Sequence, residues 1–409
     1  MEEYIHRAIE DKFLRMSKFF KAVLVTGARQ VGKSTMLKYL AKGEGRTIVT
    51  LDNDEIRGLA QTDPAMFFQR YKPPILIDEV QKAPQLFNQI KILCDSTDLK
   101  GQFWLTGSQK FSMMKNVDET LSGRIGIMEL HSFSRSELCG YNFSEPLSFD
   151  MESLLKRESK TAEVNVNEIF KCILFGGMPD VVNASNEERQ VYFESYISTY
   201  LMRDVMEIGH VEDTVKFRKF LATCAALTAQ QLNIAQIAGV VGIAQATANN
   251  WLKLLESLNI VYLLQPYSNN ALKRLVKTPK LYFLDTGLCA YLAKWPLPEV
   301  LLAGAASGAF FETFVVIEIL KGYAYSSAVS DLSYFRDSNS KEIDLFIQIK
   351  QTIHPVEIKL SAKPDKREVK KFEIIEQAKL GRGRGGIICM CETVLPINHF
   401  DCLIPVRLL

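Results

Sequence analysis

The chain has 409 residues, of which 47% are hydrophobic and 23% charged. That is the balance of an ordinary soluble globular protein with room for two to four domains. A net charge of +2 supplies no global field that would draw the chain onto nucleic acid, so such a contact must come from local patches. The eight cysteines form no C-x-x-C pair and no metal-like grouping with the histidines, and Met1 to Arg7 carry charges where a signal peptide needs an apolar core. A reduced, cytoplasmic protein is therefore expected. The most apolar segment, Phe310 to Leu320, is too short to span a bilayer and contains Glu312 and Glu318, which excludes a transmembrane helix.

Residues 1–19 predict an amphipathic helix with Ile5, Ile9, Phe13, Leu14 and Phe19 on one face. Arg7 on it is either a ligand contact or a solvated surface residue. Val23 to Thr26 then read as a buried strand, followed without mismatch by G-x-x-x-x-G-K-[ST] from Gly27 to Ser34 and a helix carrying Met36, Leu37, Tyr39 and Leu40. In such a loop, turned sharply at Gly27 and Gly32, the backbone N–H groups from Gly27 through Ala28, Arg29, Gln30, Val31 and Gly32 to Lys33, Ser34 and Thr35 converge on phosphate oxygens. The following helix adds its positive end. Lys33 would neutralise the β- and γ-phosphates of ATP, and the Ser34 hydroxyl would hold Mg²⁺.

Thr47 to Asp52 predict a second strand, and Pro73 to Glu79 a third, apolar, that ends in two carboxylates. Downstream of a complete P-loop, Asp78 suits a magnesium site and Glu79 suits orienting or deprotonating the attacking water. Gly101 to Gln109 reads as a further apolar strand closing on small hydroxyl residues. Ser108 is the candidate sensor of the γ-phosphate and Thr106 the reserve. Arg124 in Ser122-Gly123-Arg124 has three readings: a phosphate contact in cis, a contact to a neighbouring subunit's nucleotide in a homo-oligomer, or a structural salt bridge. Alternating strands and helices place residues 20 to about 135 in a parallel sheet covered on both faces.

Residues 135–215 are mostly helical by pattern, broken at Phe175-Gly176-Gly177-Met178-Pro179. Arg203 lies between two roles, a second phosphate contact or an ion pair with Asp204 or another carboxylate. From Phe217 to Leu264 the order is helix, helix, a glycine-bearing turn at 239–243, a third helix at 245–257 and a strand, with a second strand expected after Ser268-Asn269-Asn270. That order is a winged helix-turn-helix. Gln245, Thr247, Asn249, Asn250 and Lys253 on the third helix suit base edges and phosphates, and Lys273, Arg274 and Lys277 suit a DNA backbone. Protein docking is the competing role for such a module.

In the last third, an apolar helix at 310–320 carries Glu312, and strands at 334–336, 342–347 and 355–359 follow. Alternate residues of a strand share a face, so Glu357 and Lys359 project together, joined by Asp344 if it ends the neighbouring strand. Asp344, Glu357 and Lys359 then make D-x12-E-x-K, with Glu312 as a further ligand for a second divalent metal. Gly381 to Gly386 reads as a short basic loop.

GARQVGKST, ILIDEVQKAP, WLTGSQ, LSGR, the GGMP turn, YLMRD, LYFLDTGL, FE at 311–312 and KEIDLFI with VEIKLSAK together resemble the prokaryotic AAA-type ATPases that carry a winged helix and a C-terminal domain of unknown function. The resemblance implies an α/β chain with an AAA-type P-loop ATPase domain at 1–135, a helical lid or linker at 136–215 and a winged helix-turn-helix at 216–290. A restriction-endonuclease-like PD-(D/E)xK domain follows at 291–409. It carries ATP and Mg²⁺ onto Lys33, Ser34 and Asp78, and the nuclease pattern onto Asp344, Glu357 and Lys359. Two functions follow as expectations: an ATP-dependent enzyme acting on DNA, or a nucleotide-controlled switch whose C-terminal fold binds a partner and cuts nothing.

Overall fold

The computed structural model describes residues 4–108, 121–141, 143, 145–209, 211–267, 278–337, 341–377 and 380–409. The expected wing residues Lys273, Arg274 and Lys277 lie outside them. The chain divides into two compact units, one of Met1–Ser132 with Ser257–Ile260, the other of Phe133–Glu256 with Val261–Leu409. The three regions expected at 136–215, 216–290 and 291–409 therefore share one unit apart from four residues.

In the first unit, β1 (Ala22–Thr26), β2 (Thr47–Thr50), β3 (Ile75–Asp78), β4 (Phe103–Thr106) and β5 (Ile125–Glu129) form a parallel sheet in the order β2-β3-β4-β1-β5. Every residue of β1, β3 and β4 is buried. Continuous apolar runs are what a strand covered on both faces requires. Leu24, Ile75, Ile77, Phe103 and Leu105 share a core with Phe67, Phe87 and Ile90, each large side chain contributing about 1.5–3 kcal/mol of burial. Parallel pairing demands crossovers, supplied in part by α2 (Lys33–Leu40) after β1 and α3 (Leu86–Asp95) after β3. The loops that leave the C-terminal ends of β1, β3 and β4 consequently gather at one edge of the sheet, where ligands of open α/β sheets bind. The leading helix is shorter than expected: α1 spans Glu10–Phe19, Phe13 is buried and Phe19 is exposed.

The second unit opens with helices that include α4 (Val166–Phe175) and α5 (Asn186–Ser195), whose N-termini are closed by capping boxes of Asn165 with Glu168 and Ser185 with Glu188. Next come α6 (Thr214–Ala226), α7 (Ile234–Val241) and α8 (Gln245–Ser257). The α7–α8 turn lies at Gly242, with φ of 78°, and Gly239 is inside α7. The reason is that only Gly242 takes the left-handed C-cap conformation. Strands β6 (Gln230–Gln231), β7 (Val261–Leu264) and β8 (Lys280–Phe283) form an antiparallel sheet with β8 in the middle.

A 19-residue helix, α9 (Ser307–Tyr325), precedes a mixed seven-stranded sheet. Its strands are β9 (Ser330–Arg336), β10 (Glu342–Ile349), β11 (Thr352–Lys359), β12 (Gly381–Arg382), β13 (Gly385–Cys389), β14 (Leu395–Pro396) and β15 (Asp401–Pro405). The stretch expected as a basic loop is thus partly strand. Gly381 and Arg382 pair with β11, and Arg382 is held by Glu376 and Asp401. Among the described residues no helix is long and apolar enough to cross a membrane.

Candidate nucleotide site and the C-terminal carboxylate cluster

The loop after β1 is shaped by its glycines. Gly27 has φ of 140°, and a Cβ there would lie 2.1 Å from the Leu130 carbonyl oxygen. Gly32 ends the loop in the left-handed region, with φ of 93°, as the N-cap of α2. Lys33, buried in the first turn of α2, donates its ammonium to the carbonyls of Gly27 at 3.0 Å and Ala28 at 2.7 Å. The amine is therefore already enclosed by the loop that would bind phosphate. Ala28 and Val31 are buried, while Thr35 on α2 is exposed.

The Ser34 hydroxyl donates to Asp78 Oδ1 at the end of β3. Thr106, at the end of β4, donates to the same oxygen at 2.6 Å and accepts the Glu79 N–H at 3.0 Å. Because β4 lies between β1 and β3, its terminal threonine bridges the two carboxylate residues. Glu79 stands in the left-handed region with φ of 59°. Its Oε2 accepts from Gln81 Nε2, which also donates to Ser108 Oγ at 3.1 Å. Among the described residues, Gln81 Oε1 is buried without a partner. Ser34, Asp78, Glu79, Thr106 and Ser108 are thus joined through hydrogen bonds, and an oxygen-rich pair beside a lysine-bearing loop suits Mg²⁺ with a triphosphate.

One arginine differs from expectation. Arg7 is not a solvated surface residue. It is buried and donates to the carbonyls of Val31 at 2.9 Å and His131 at 2.7 Å, which braces the P-loop from behind. Arg124 stands at the opposite end of β1 from the P-loop. It precedes β5, its carbonyl accepts the Ala22 N–H at the start of β1, and the P-loop leaves the other end of that strand, roughly 15 Å away at 3.3 Å per residue. Its guanidinium pairs with Asp95 through Nε at 2.6 Å and Nη2 at 3.1 Å, the salt-bridge alternative. Arg203 pairs with Glu207 at 2.7 Å. Sequence reasoning missed Gln81, whose only signal is its position two residues after Glu79.

In the second unit, Asp344 lies within β10 rather than at its end, and its Oδ2 accepts the Ile358 N–H at 2.8 Å. Glu357 Oε1 accepts from Lys359 at 2.6 Å and Lys371 at 2.7 Å, while its Oε2 is buried without a partner among the described residues. Burial and the neighbouring Asp344 charge push the Glu357 carboxyl up to about 7 against the pull of the two lysines. Glu312, on α9, accepts from Lys280 at 2.9 Å and Tyr282 hydroxyl at 2.7 Å, both on β8. The same Lys280 ammonium lies 2.7 Å from Glu342 and 3.9 Å from Asp344. Burial would lower this lysine, yet Glu312, Asp344 and Glu342 outweigh it and hold it above the usual lysine range.

One oxygen of Glu312, the further metal ligand suggested by the sequence, is thus taken by an ammonium and a phenol. Asp344 and Glu357 lie near each other as expected, but Asp344 Oδ2 and Glu357 Oε1 already have donors. Among the described residues, no group of three or more His, Cys, Asp and Glu is arranged to hold a metal ion. The residues present do not fit the second divalent metal.

Residues 19–139 match the model of an AAA domain. Residues 166–299 and 307–409 match two domains of unknown function, DUF8612 and DUF4143. Uncharacterised proteins of Mycobacterium bovis and Mycobacterium tuberculosis are each 26% identical over 343 residues, 84% of this chain and 71% of the relative. Among solved structures, the Walker-type ATPase of Pyrococcus abyssi is similar with a TM-score of 0.42 and 15% identity, over 71% of this chain and 96% of that one. The RuvB Holliday junction branch migration motor of Thermotoga maritima has a TM-score of 0.32 and 16% identity, over 68% and 97%. With its P-loop, its carboxylate pair and the AAA match in one stretch of chain, the amino-terminal part of this protein is a P-loop ATPase domain of the AAA type.

Proposed function

We propose that this ATPase domain binds and hydrolyses Mg²⁺-ATP to drive a DNA transaction carried out by the rest of the chain. The observation that carries the reading is the hydrogen-bonded line of Ser34, Asp78 and Thr106 beside the enclosed Lys33. When bound, Mg²⁺ offsets the negative charge that develops on the phosphates. The backbone amides from Gly27 to Thr35 orient the triphosphate, and Lys33 exchanges the carbonyls of Gly27 and Ala28 for phosphate oxygens. Ser34 and Asp78 hold the ion. Glu79, presented by Thr106 and Gln81, orients the water and takes its proton. Ser108, linked to Glu79 through Gln81, senses the γ-phosphate.

For DNA, the support is the succession α6, α7, α8 and the antiparallel strands β7 and β8, the order of a winged helix-turn-helix. Gln245, Asn249, Asn250 and Lys253 are exposed on α8, with Thr247 half-buried. They suit base edges and phosphates. Of the two readings of the C-terminal module, Lys280 among the carboxylates favours a nuclease-like fold that binds and does not cut. Plasmid incubated with Mg²⁺ or Mn²⁺ and this protein should stay intact while ATP is consumed. Nicking that Asp344→Ala removes would restore the cutting role. Alanine at Asn249, Asn250 and Lys253 together should weaken binding of a fluorescent duplex, and unchanged binding would remove DNA from the account.

A further inference from the structure

Resting on the non-cleaving reading of the C-terminal module, we propose that the Lys280 ammonium is a resident cation, filling among Glu312, Glu342 and Asp344 the position that a divalent metal would take. An ammonium carries three donors and no acceptor. Here it faces three carboxylates contributed by two different elements, Glu312 from α9 and Glu342 and Asp344 from β10, at 2.9, 2.7 and 3.9 Å. The Lys280 side chain is 3% exposed, so water supplies little of its solvation. Carboxylates gathered in such a place need a positive charge close by.

The strand that brings the lysine also brings a second donor. Lys280 and Tyr282 are two apart on β8 and share a face, and both donate to Glu312 Oε1. This glutamate is therefore addressed by one strand, through an ammonium and a phenol. A divalent ion would need oxygen ligands at about 2.0–2.6 Å, and among these carboxylates it would meet the charge of the ammonium already on Glu312 Oε1. The remaining charges are met in the same way: Glu357 by Lys359 and Lys371, and Glu342 also by Arg336 at 3.3 Å. Side chains thus set a cation beside each of these carboxylates, with Glu357 Oε2 left without a partner among the described residues. Lys280 lies 32 positions before Glu312 and 64 before Asp344, which separates it from the D-x12-E-x-K pattern that suggests a metal.

The test is Mn²⁺ titration of the full-length chain, without nucleotide and with Ser34→Ala to silence the nucleotide site, followed by the electron paramagnetic resonance of free Mn²⁺ and by the melting temperature. With Lys280 in place, no bound Mn²⁺ and no shift in melting are expected. Lys280→Met should melt lower and gain one bound Mn²⁺ that raises melting again, and adding Asp344→Asn should remove that gain. Mn²⁺ bound by the lysine-bearing protein and lost with Asp344→Asn overturns the proposal, as does a folded Lys280→Met chain that binds none. The first arm decides by itself if Lys280→Met does not fold. Duplex affinity measured in EDTA tests the DNA reading separately, so its failure is distinguishable from a failure of the lysine assignment.

Discussion

Thr106 and Asp78, at the ends of neighbouring parallel strands, share a hydrogen bond of 2.6 Å in which the threonine hydroxyl donates to Oδ1, and the same hydroxyl oxygen accepts the Glu79 N–H. One side chain thereby sets the position of both acidic residues. Thr106→Val keeps the shape and removes both bonds. It leaves the Glu79 N–H without its acceptor, at a cost of about 1–3 kcal/mol. Chemical denaturation should show that loss, and ATP turnover should fall while nucleotide affinity changes little.

Gly27 cannot be replaced cheaply. Its φ of 140°, and a Leu130 carbonyl oxygen 2.1 Å from where a Cβ would stand, leave no room for a side chain. Gly27→Ala should open the loop or displace the chain leaving β5, costing at least about 1–2 kcal/mol from backbone conformation alone. Nucleotide titration should show affinity lost even where the protein remains folded.

Gln81 holds Glu79 on one side and Ser108 on the other. Gln81→Ala should lower the maximal rate more than it alters the Michaelis constant, because it frees the carboxylate from its position without touching the P-loop. Equal kinetics in wild type and variant would mean that the glutamate is oriented by something else.

How much of this was legible in the sequence follows from how local each feature is. The P-loop and the Asp78-Glu79 pair are runs of adjacent residues whose spacing is dictated by phosphate and metal chemistry, so they could be read directly. Arg124 could not, because its distance from the P-loop depends on which end of β5 it occupies and on β5 lying beside β1. Strand order also puts Thr106 between Asp78 and Glu79, a bridging role that the sequence, which held it in reserve behind Ser108 as a γ-phosphate sensor, did not suggest. Lys280 was invisible for a further reason: its partners come from a helix and a strand far along the chain, and no pattern of neighbours announces an ammonium among carboxylates. The D-x12-E-x-K spacing was legible, but not which cation it faces.

Glu357 gives the second unit a pH dependence of known sign. Burial raises its carboxyl from 4.5 to about 7 in the fold, so the native state binds this proton more tightly than the unfolded chain. The stabilisation is full below about pH 4.5 and is lost as pH rises through about 7. Glu357→Gln cannot release that proton. Between pH 5 and 7.5, the stability of the second unit against denaturant should therefore fall in wild type relative to the glutamine variant, and parallel curves would contradict the assignment.

The most direct measurement is single-turnover hydrolysis of Mg²⁺-ATP by the wild-type chain and Glu79→Gln, with Lys33→Ala as the variant that should not bind. Glu79→Gln should hold the nucleotide with wild-type affinity and hydrolyse it on the order of 100-fold more slowly or worse, the loss of a positioned base. Hydrolysis by Glu79→Gln at the wild-type rate would contradict the account.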